Sequence, residues 1–169
     1  MGGRNAIRCP LVSRLEDLRR VEFALNRIAR VSNGRVAARY RAERSGVMLS
    51  RPAITILATL RGSGPVRLSL LARLTDLEAP LISREIRDLV ESGHVRRSAD
   101  PTDGRAGIVE LTAKGRRAYQ AYRDATDAII ADTFTDWSAA DLHELRVLLD
   151  RVSEAFTRRP GAVRRDRAS

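Results

Sequence analysis

Cysteine, histidine and aromatic residues are all scarce in this 169-residue chain, and each shortage narrows what the chain can build. The single cysteine, Cys9, excludes an intramolecular disulfide framework and any zinc site built on a cysteine cluster. The two histidines, His94 and His143, have no cysteine or carboxylate cluster beside them, so no metal is expected. Aromatics make up 4% of the residues, which leaves core packing to Leu, Val, Ile and Ala. No stretch approaches the roughly 20 apolar residues that span a bilayer, and the N-terminus has no apolar signal core. A cytoplasmic protein without a membrane partner is the expectation. Catalytic patterns are missing too: there is no Ser-His-Asp order, no Cys-His pairing and no phosphate-cradling glycine loop, since Gly62, Gly64, Gly104 and Gly107 fall in turns without a following Gly-Lys-Ser/Thr. Neither an enzyme nor a bound cofactor is expected.

What is abundant is arginine. Basic residues number 31 against 21 acidic, a formal net charge of +10, and Lys114 is the only lysine. Such a balance favours an anionic partner, nucleic acid first. The length suits one domain with one sizeable core.

The most informative stretch runs from Leu70 to Gly115. A compact apolar segment, Leu70 to Leu74 with Ser69 as its N-cap, is followed by a turn through Thr75, Asp76 and Leu77. A second helix starts near Glu78-Ala79-Pro80, where proline in a first turn forfeits no hydrogen bond. Its spacing places Ile82, Ile86, Leu89 and Val90 on one face and Ser83, Arg84, Arg87 and Asp88 on the other, and Gly93 stops it. Two strands follow, around His94–Arg97 and Ile108–Thr112, with Asp103-Gly104 at the bend. Short helix, turn, helix and β-hairpin is the order of a winged helix-turn-helix. Arginine can read guanine bidentately or bind phosphate, and serine a base edge or a phosphate.

Four linked motifs carry a family resemblance: Leu-Ile-Ser-Arg at 81 to 84, Leu89-Val90-Glu91-Ser92-Gly93-His94-Val95-Arg96-Arg97, Asp100-Pro101-Thr102-Asp103-Gly104-Arg105, and Leu111-Thr112-Ala113-Lys114-Gly115. In order and spacing they resemble the recognition helix, its exit, the wing and the strand-to-helix junction of the MarR family of bacterial transcriptional regulators. The resemblance implies a mainly α fold with a small β-hairpin wing, in which a winged helix-turn-helix is flanked by N- and C-terminal dimerisation helices. It also implies a homodimeric repressor of a pseudo-palindromic double-stranded operator, released by a small aromatic effector whose pocket residues the sequence does not name.

The flanking segments carry narrow apolar seams. Ser13-x-x-Glu16 reads as a capping box opening a long helix in which Leu18, Val21, Leu25 and Ile28 recur at 3-4-3 spacing, with a break near Gly34. Ser50 caps a helix holding Ile54, Ile56, Leu57 and Leu60. Downstream, Thr112 caps a helix with Ala118, Tyr122, Ala125 and Ile129 on one face. Ser138 and Asp141 then open a last helix in which Leu142, Leu145, Leu149, Val152 and Phe156 repeat at 3-4-3-4 spacing. The expected organisation is a flexible N-terminus over 1–12, one domain over 13–159, and a disordered basic tail over 160–169. Within the domain, 13–44 and 113–158 supply dimerisation helices and 50–112 the DNA-reading lobe.

The candidate DNA contacts are Ser83, Arg84 and Arg87 on the recognition helix, Ala79, Pro80 and Leu81 at its entering end, and Arg96 and Arg97 on the wing strand, of which alternation turns one toward DNA. At the wing tip, Arg105 is a candidate for the minor groove with Asp103 orienting it. Arg61 and Arg67 are further phosphate candidates. Two other readings compete. One branch of the family that the chain resembles senses organic peroxides through an N-terminal cysteine stabilised by tyrosines. The resemblance would give that role to Cys9 with Tyr40, Tyr119 and Tyr122, although Cys9 precedes the first helix, unlike that branch, and has only Arg8 to activate it. A winged helix used for protein contact would show an apolar recognition face, which Arg84, Arg87 and Arg105 oppose.

Overall fold

The computed structural model describes residues 10–101 and 107–158, with side chains from residue 13 onward. Among these residues seven helices and three short strands follow in the order α1 (Pro10–Asn33), α2 (Arg35–Ser45), α3 (Arg51–Ser63), β1 (Val66–Arg67), α4 (Leu68–Thr75), α5 (Ala79–Glu91), β2 (Val95–Ala99), β3 (Gly107–Leu111), α6 (Ala113–Thr133) and α7 (Ala139–Thr157). Within α6 the chain divides into two compact units, Met1–Asp127 and Ala128–Ser169.

α1 begins at Pro10, three residues before the expected capping box. Proline is at home in a first turn, so the helix takes its start there and Ser13 and Glu16 lie inside it. The break at Gly34 is present: its φ of −70° and ψ of 163° are extended, and it caps α2. A β-carbon at this position would stand 2.9 Å from the Arg30 carbonyl oxygen, which is why the close approach takes glycine. α3 starts as expected, the Ser50 hydroxyl accepting from the Ala53 amide at 3.0 Å.

α4 differs from expectation at its entry. It starts at Leu68 with Arg67 as a cap that gives no side-chain hydrogen bond, and Ser69 falls inside the first turn. The cause is β1, which the sequence did not announce. Val66 and Arg67 pair antiparallel with Val109 and Ile108, and that pairing delivers the chain into α4 two residues early. The sheet order is β1-β3-β2, with Val95 opposite Leu111 and Arg97 opposite Val109. Asp76 ends α4 with φ 51° and ψ 31°, a left-handed position that aspartate tolerates.

One core holds this lobe together. Ile56, Leu57 and Leu60 of α3, Leu71 of α4, Ile82, Ile86 and Leu89 of α5, and Val66, Val95, Val109 and Leu111 of the sheet are all buried. Ile56 is fully enclosed, so Ile56→Val should cost about 1 kcal/mol by removing one methyl from a packed site. A denaturant midpoint unchanged within error would show that the site is looser than its burial implies.

The flanking helices look different. Leu18 is 56% exposed on α1, where Val21 and Ile28 are exposed as well and Leu25 is half-buried. α7 buries no residue at all: Leu142, Leu149 and Phe156 are exposed, and Leu145 and Val152 half-buried. Ser138 and Asp141 form the reciprocal capping box at its start, which holds the Asp141 carboxyl below its ordinary range through hydrogen bonds from the Ser138 side chain and backbone. Phe134 and Trp137 meet edge to face at the corner before it, ring centroids 5.2 Å apart. Among the described residues no helix is long and apolar enough to cross a membrane.

Candidate nucleic-acid interface

α5 is the centre of the site. Glu78 precedes it, Pro80 occupies its first turn, and Ile82, Ile86 and Leu89 fix one face to the core. Val90, expected on that face, is 39% exposed, and Glu85 is buried in its stead. At about 100° per residue Val90 lies roughly 80° from Ile82, while Glu85 lies roughly 60° away on the other side, so the inward stripe runs through position 85. Ala79 and Pro80 are exposed at the entering end and Leu81 is half-buried. Ser83, Arg84 and Arg87 are exposed on the side of α5 away from the core.

The wing strand separates its two arginines. Val95, Arg97 and Ala99 of β2 stand opposite Leu111, Val109 and Gly107, and Arg96 and Ser98 opposite Glu110 and Ile108. Successive side chains alternate between faces, so Arg97 shares a face with the buried Val109, and Arg96 shares the other with Glu110. Arg97 accordingly lines an open cleft with Ser83 and Arg87 of the recognition helix, whereas Arg96 Nε donates to Glu110 Oε1 at 2.8 Å. Gly107 makes room for Arg97: a β-carbon there would come within 2.7 Å of its Nε. Two arginines and a serine thus converge on one opening, an arrangement suited to phosphate and base-edge contacts.

Arg67 and Arg61 have partners of their own. Arg67 Nε donates to Asp100 Oδ2 at 2.6 Å, tying the entry of α4 to the base of the wing. Arg61 lies over the Tyr119 ring, 5.9 Å from its centroid. Asp103 and Arg105 lie outside the described residues, as do Cys9 and the 160–169 segment.

The exit of α5 is clamped from three directions. Gly93 adopts φ 73°, with its amide bonded to the Val90 carbonyl at 3.0 Å and the His94 amide to the Leu89 carbonyl at 2.8 Å, a Schellman ending. The Thr112 hydroxyl donates to the Gly93 carbonyl at 2.8 Å and accepts from the Gly115 amide at 3.0 Å, so it caps α6 while holding the recognition helix. Lys114 Nζ donates to the Ser92 carbonyl at 2.8 Å, placing a cation at the negative end of α5. Glu85, Asp100 and Lys114 were missed as contributors by sequence reasoning. The available signal was a carboxylate three residues after Ile82, on the face that the apolar spacing turns inward.

His94 closes this clamp, its Nδ1 2.8 Å from Ser92 Oγ. Partial burial, and then the charge of Lys114, hold its pKa below the ordinary 6.5. A depressed folded value means that the unfolded chain binds the proton first as pH falls, so this contribution to stability is intact above about 6.5 and lost as pH drops through the folded value. The melting temperature should decline on acidification from pH 7, and His94→Gln should flatten that decline. An identical slope in the variant would assign the acid sensitivity elsewhere.

Known proteins match this geometry. Residues 49–115 fit the family model of a winged helix DNA-binding domain. An uncharacterised HTH-type transcriptional regulator of Bacillus subtilis, YxaD, is 27% identical over 108 residues, which are 64% of this chain and 76% of that protein. A probable transcriptional regulator from Pseudomonas aeruginosa is 30% identical in its crystal structure, with a TM-score of 0.62 over 78% of this chain and 96% of its own. The MarR family transcription regulator SP03579 superposes with a TM-score of 0.71 at 20% identity, covering 88% and 98% of the two chains. The chain belongs to the winged helix-turn-helix transcriptional regulators, and its fold is that of the MarR family.

Proposed function

We propose that this protein is a homodimeric, sequence-specific repressor that inserts α5 into the major groove of a pseudo-palindromic operator and lets go when a small aromatic anion binds. The observation that carries the DNA reading is the convergence of Ser83, Arg87 and Arg97 on one solvent-open cleft beside a recognition helix whose other face is locked into the core. The wing residues Asp103 and Arg105, and the entering residues Ala79, Pro80 and Leu81, extend that contact in this reading. Support for a second copy comes from the apolar residues of α1 and α7 that one chain leaves uncovered: Leu18, Val21, Leu142, Leu149 and Phe156.

The effector reading draws on a second cleft, of about 370 Å³, lined by the apolar Val47, Leu49 and Ile54, by Tyr122, and by Arg35, Arg39, Arg41 and Arg51. That volume suits a small molecule. Arg41 Nε is buried without a hydrogen-bond partner among the described residues, although its Nη2 donates to the Ser32 carbonyl at 2.7 Å. The guanidinium groups of Arg35, Arg41 and Arg51 around the opening give it a positive field, which favours a carboxylate or another anion. An anion is therefore the ligand class that this cleft favours.

The test is light scattering of the protein alone and with the duplex flanking its own coding sequence, followed by titration with a panel of benzoates and phenols. Two protomers per duplex, with affinity falling steeply as salt rises and weakened at least tenfold by a carboxylate, is the expected result. A monomer that binds this duplex no better than random DNA would contradict it.

A further inference from the structure

The recognition helix carries one charged side chain on the wrong side for reading DNA. Glu85 is 8% exposed, enclosed on the face that α5 turns toward α3. Its Oε2 accepts from the Ser50 hydroxyl at 2.7 Å, and the same Ser50 oxygen accepts from the Ala53 amide at the start of α3. Its Oε1 stands 4.0 Å from Arg84 Nη2, the guanidinium that projects from the reading face. Burying a carboxylate is expensive unless its oxygens are engaged, and apolar packing would have served stability at least as well. What apolar packing would not do is choose one axial position of α5 against α3, because it tolerates sliding and a short directional bond does not.

We infer that Glu85 is a positioning residue: through Ser50 it sets the register of the recognition helix on α3. This rests on the DNA-binding reading above and adds a coupling to it. Ser50 lies between Leu49 and Arg51, both of which line the effector cleft, so the Ser50–Glu85 bond joins the wall of that cleft to the reading helix. A shift of residues 49–51 on ligand binding would be passed to α5 through this directional bond, beside the apolar packing that α3 and α5 share.

The experiment compares wild type, Glu85→Gln, Glu85→Ala and Ser50→Gly as full-length protein. Glutamine keeps an oxygen that accepts from Ser50, and glycine keeps most of the cap while removing the hydroxyl. Two quantities are read: the ratio of affinities for a selected duplex and a random one of equal length, and amide exchange within 50–57 and 79–91. Glu85→Ala and Ser50→Gly should each lower the affinity ratio about tenfold, with random-duplex affinity within twofold of wild type, and should speed exchange in those two segments alone. Glu85→Gln should recover most of both effects. Unchanged discrimination and exchange in Glu85→Ala, or a uniform rise in exchange over the whole lobe, would overturn the assignment. Should wild type itself fail to discriminate, the DNA reading falls, and localised exchange still decides whether Glu85 holds the helix. For the coupling, Ala38→Trp is placed in the cleft with and without Glu85→Ala. Loss of discrimination by Ala38→Trp only when Glu85 is present supports the link, and additive losses contradict it.

Discussion

Gly115→Ala should lower the stability of the winged lobe by about 3 kcal/mol, a large part of the roughly 5–15 kcal/mol that holds a domain together. A β-carbon at Gly115 would overlap the His94 carbonyl oxygen and press on Leu111 Cδ2 at 3.0 Å. Neither neighbour can step aside easily. The His94 carbonyl accepts from the Thr112 amide at 3.1 Å, and Thr112 also holds Gly93 and Gly115, so relief of the clash means opening the clamp at the end of the recognition helix. Overpacking and a strained buried hydrogen bond then add. The melting temperature should fall by roughly 6–12 °C. Gly62→Ala is the control, because nothing lies within 4 Å of its added carbon and alanine favours a helix. A fall of less than about 2 °C in Gly115→Ala would mean that the junction is softer than its contacts imply.

The second large effect concerns DNA. Arg87→Ala should weaken binding to a selected duplex by about a hundredfold or more, since a bidentate arginine contact contributes about 1–3 kcal/mol and a dimer loses two of them. Arg97→Ala should weaken binding to all sequences more evenly and reduce the salt slope by about one for each protomer. Arg96→Ala is the informative comparison. Its guanidinium is bonded to Glu110 on the opposite face of the sheet, so its loss should change affinity by less than about threefold. Equal losses in the Arg96 and Arg97 variants, measured by fluorescence anisotropy, would contradict the placement of DNA on the α5 side of the wing.

The parts of this fold that were legible are those that local chemistry decides. Ser50 and Ser138 cap α3 and α7 because a serine hydroxyl has an amide to satisfy, Gly34 and Gly93 fall where a side chain would collide or the backbone turns left-handed, and α5 follows from the spacing of Ile82, Ile86 and Leu89. What escaped depends on partners distant in sequence. β1 is two residues long and exists only through its pairing with β3, which moves the cap of α4 from Ser69 to Arg67 and its start from Leu70 to Leu68. Glu85 is inward because Ser50, 35 residues earlier, offers it a proton, and Asp100 is buried because Arg67 reaches it across 33. The sequence allowed one of Arg96 and Arg97 to face DNA, and the strand register separates the two. The seams of α1 and α7 were readable as periodicity, and in one chain they remain open to solvent.

The most direct test of the central reading is selection of bound duplexes from a randomised pool with the full-length protein at about physiological salt. Two copies of one reading helix, related by a two-fold axis, should enrich an inverted repeat whose half-site centres lie one helical turn apart, about 10 base pairs or roughly 34 Å. The Arg87→Ala protein should fail to enrich it. A pool that stays random after repeated rounds, or that converges on a single asymmetric site bound by one protomer, would contradict a dimeric sequence-specific regulator.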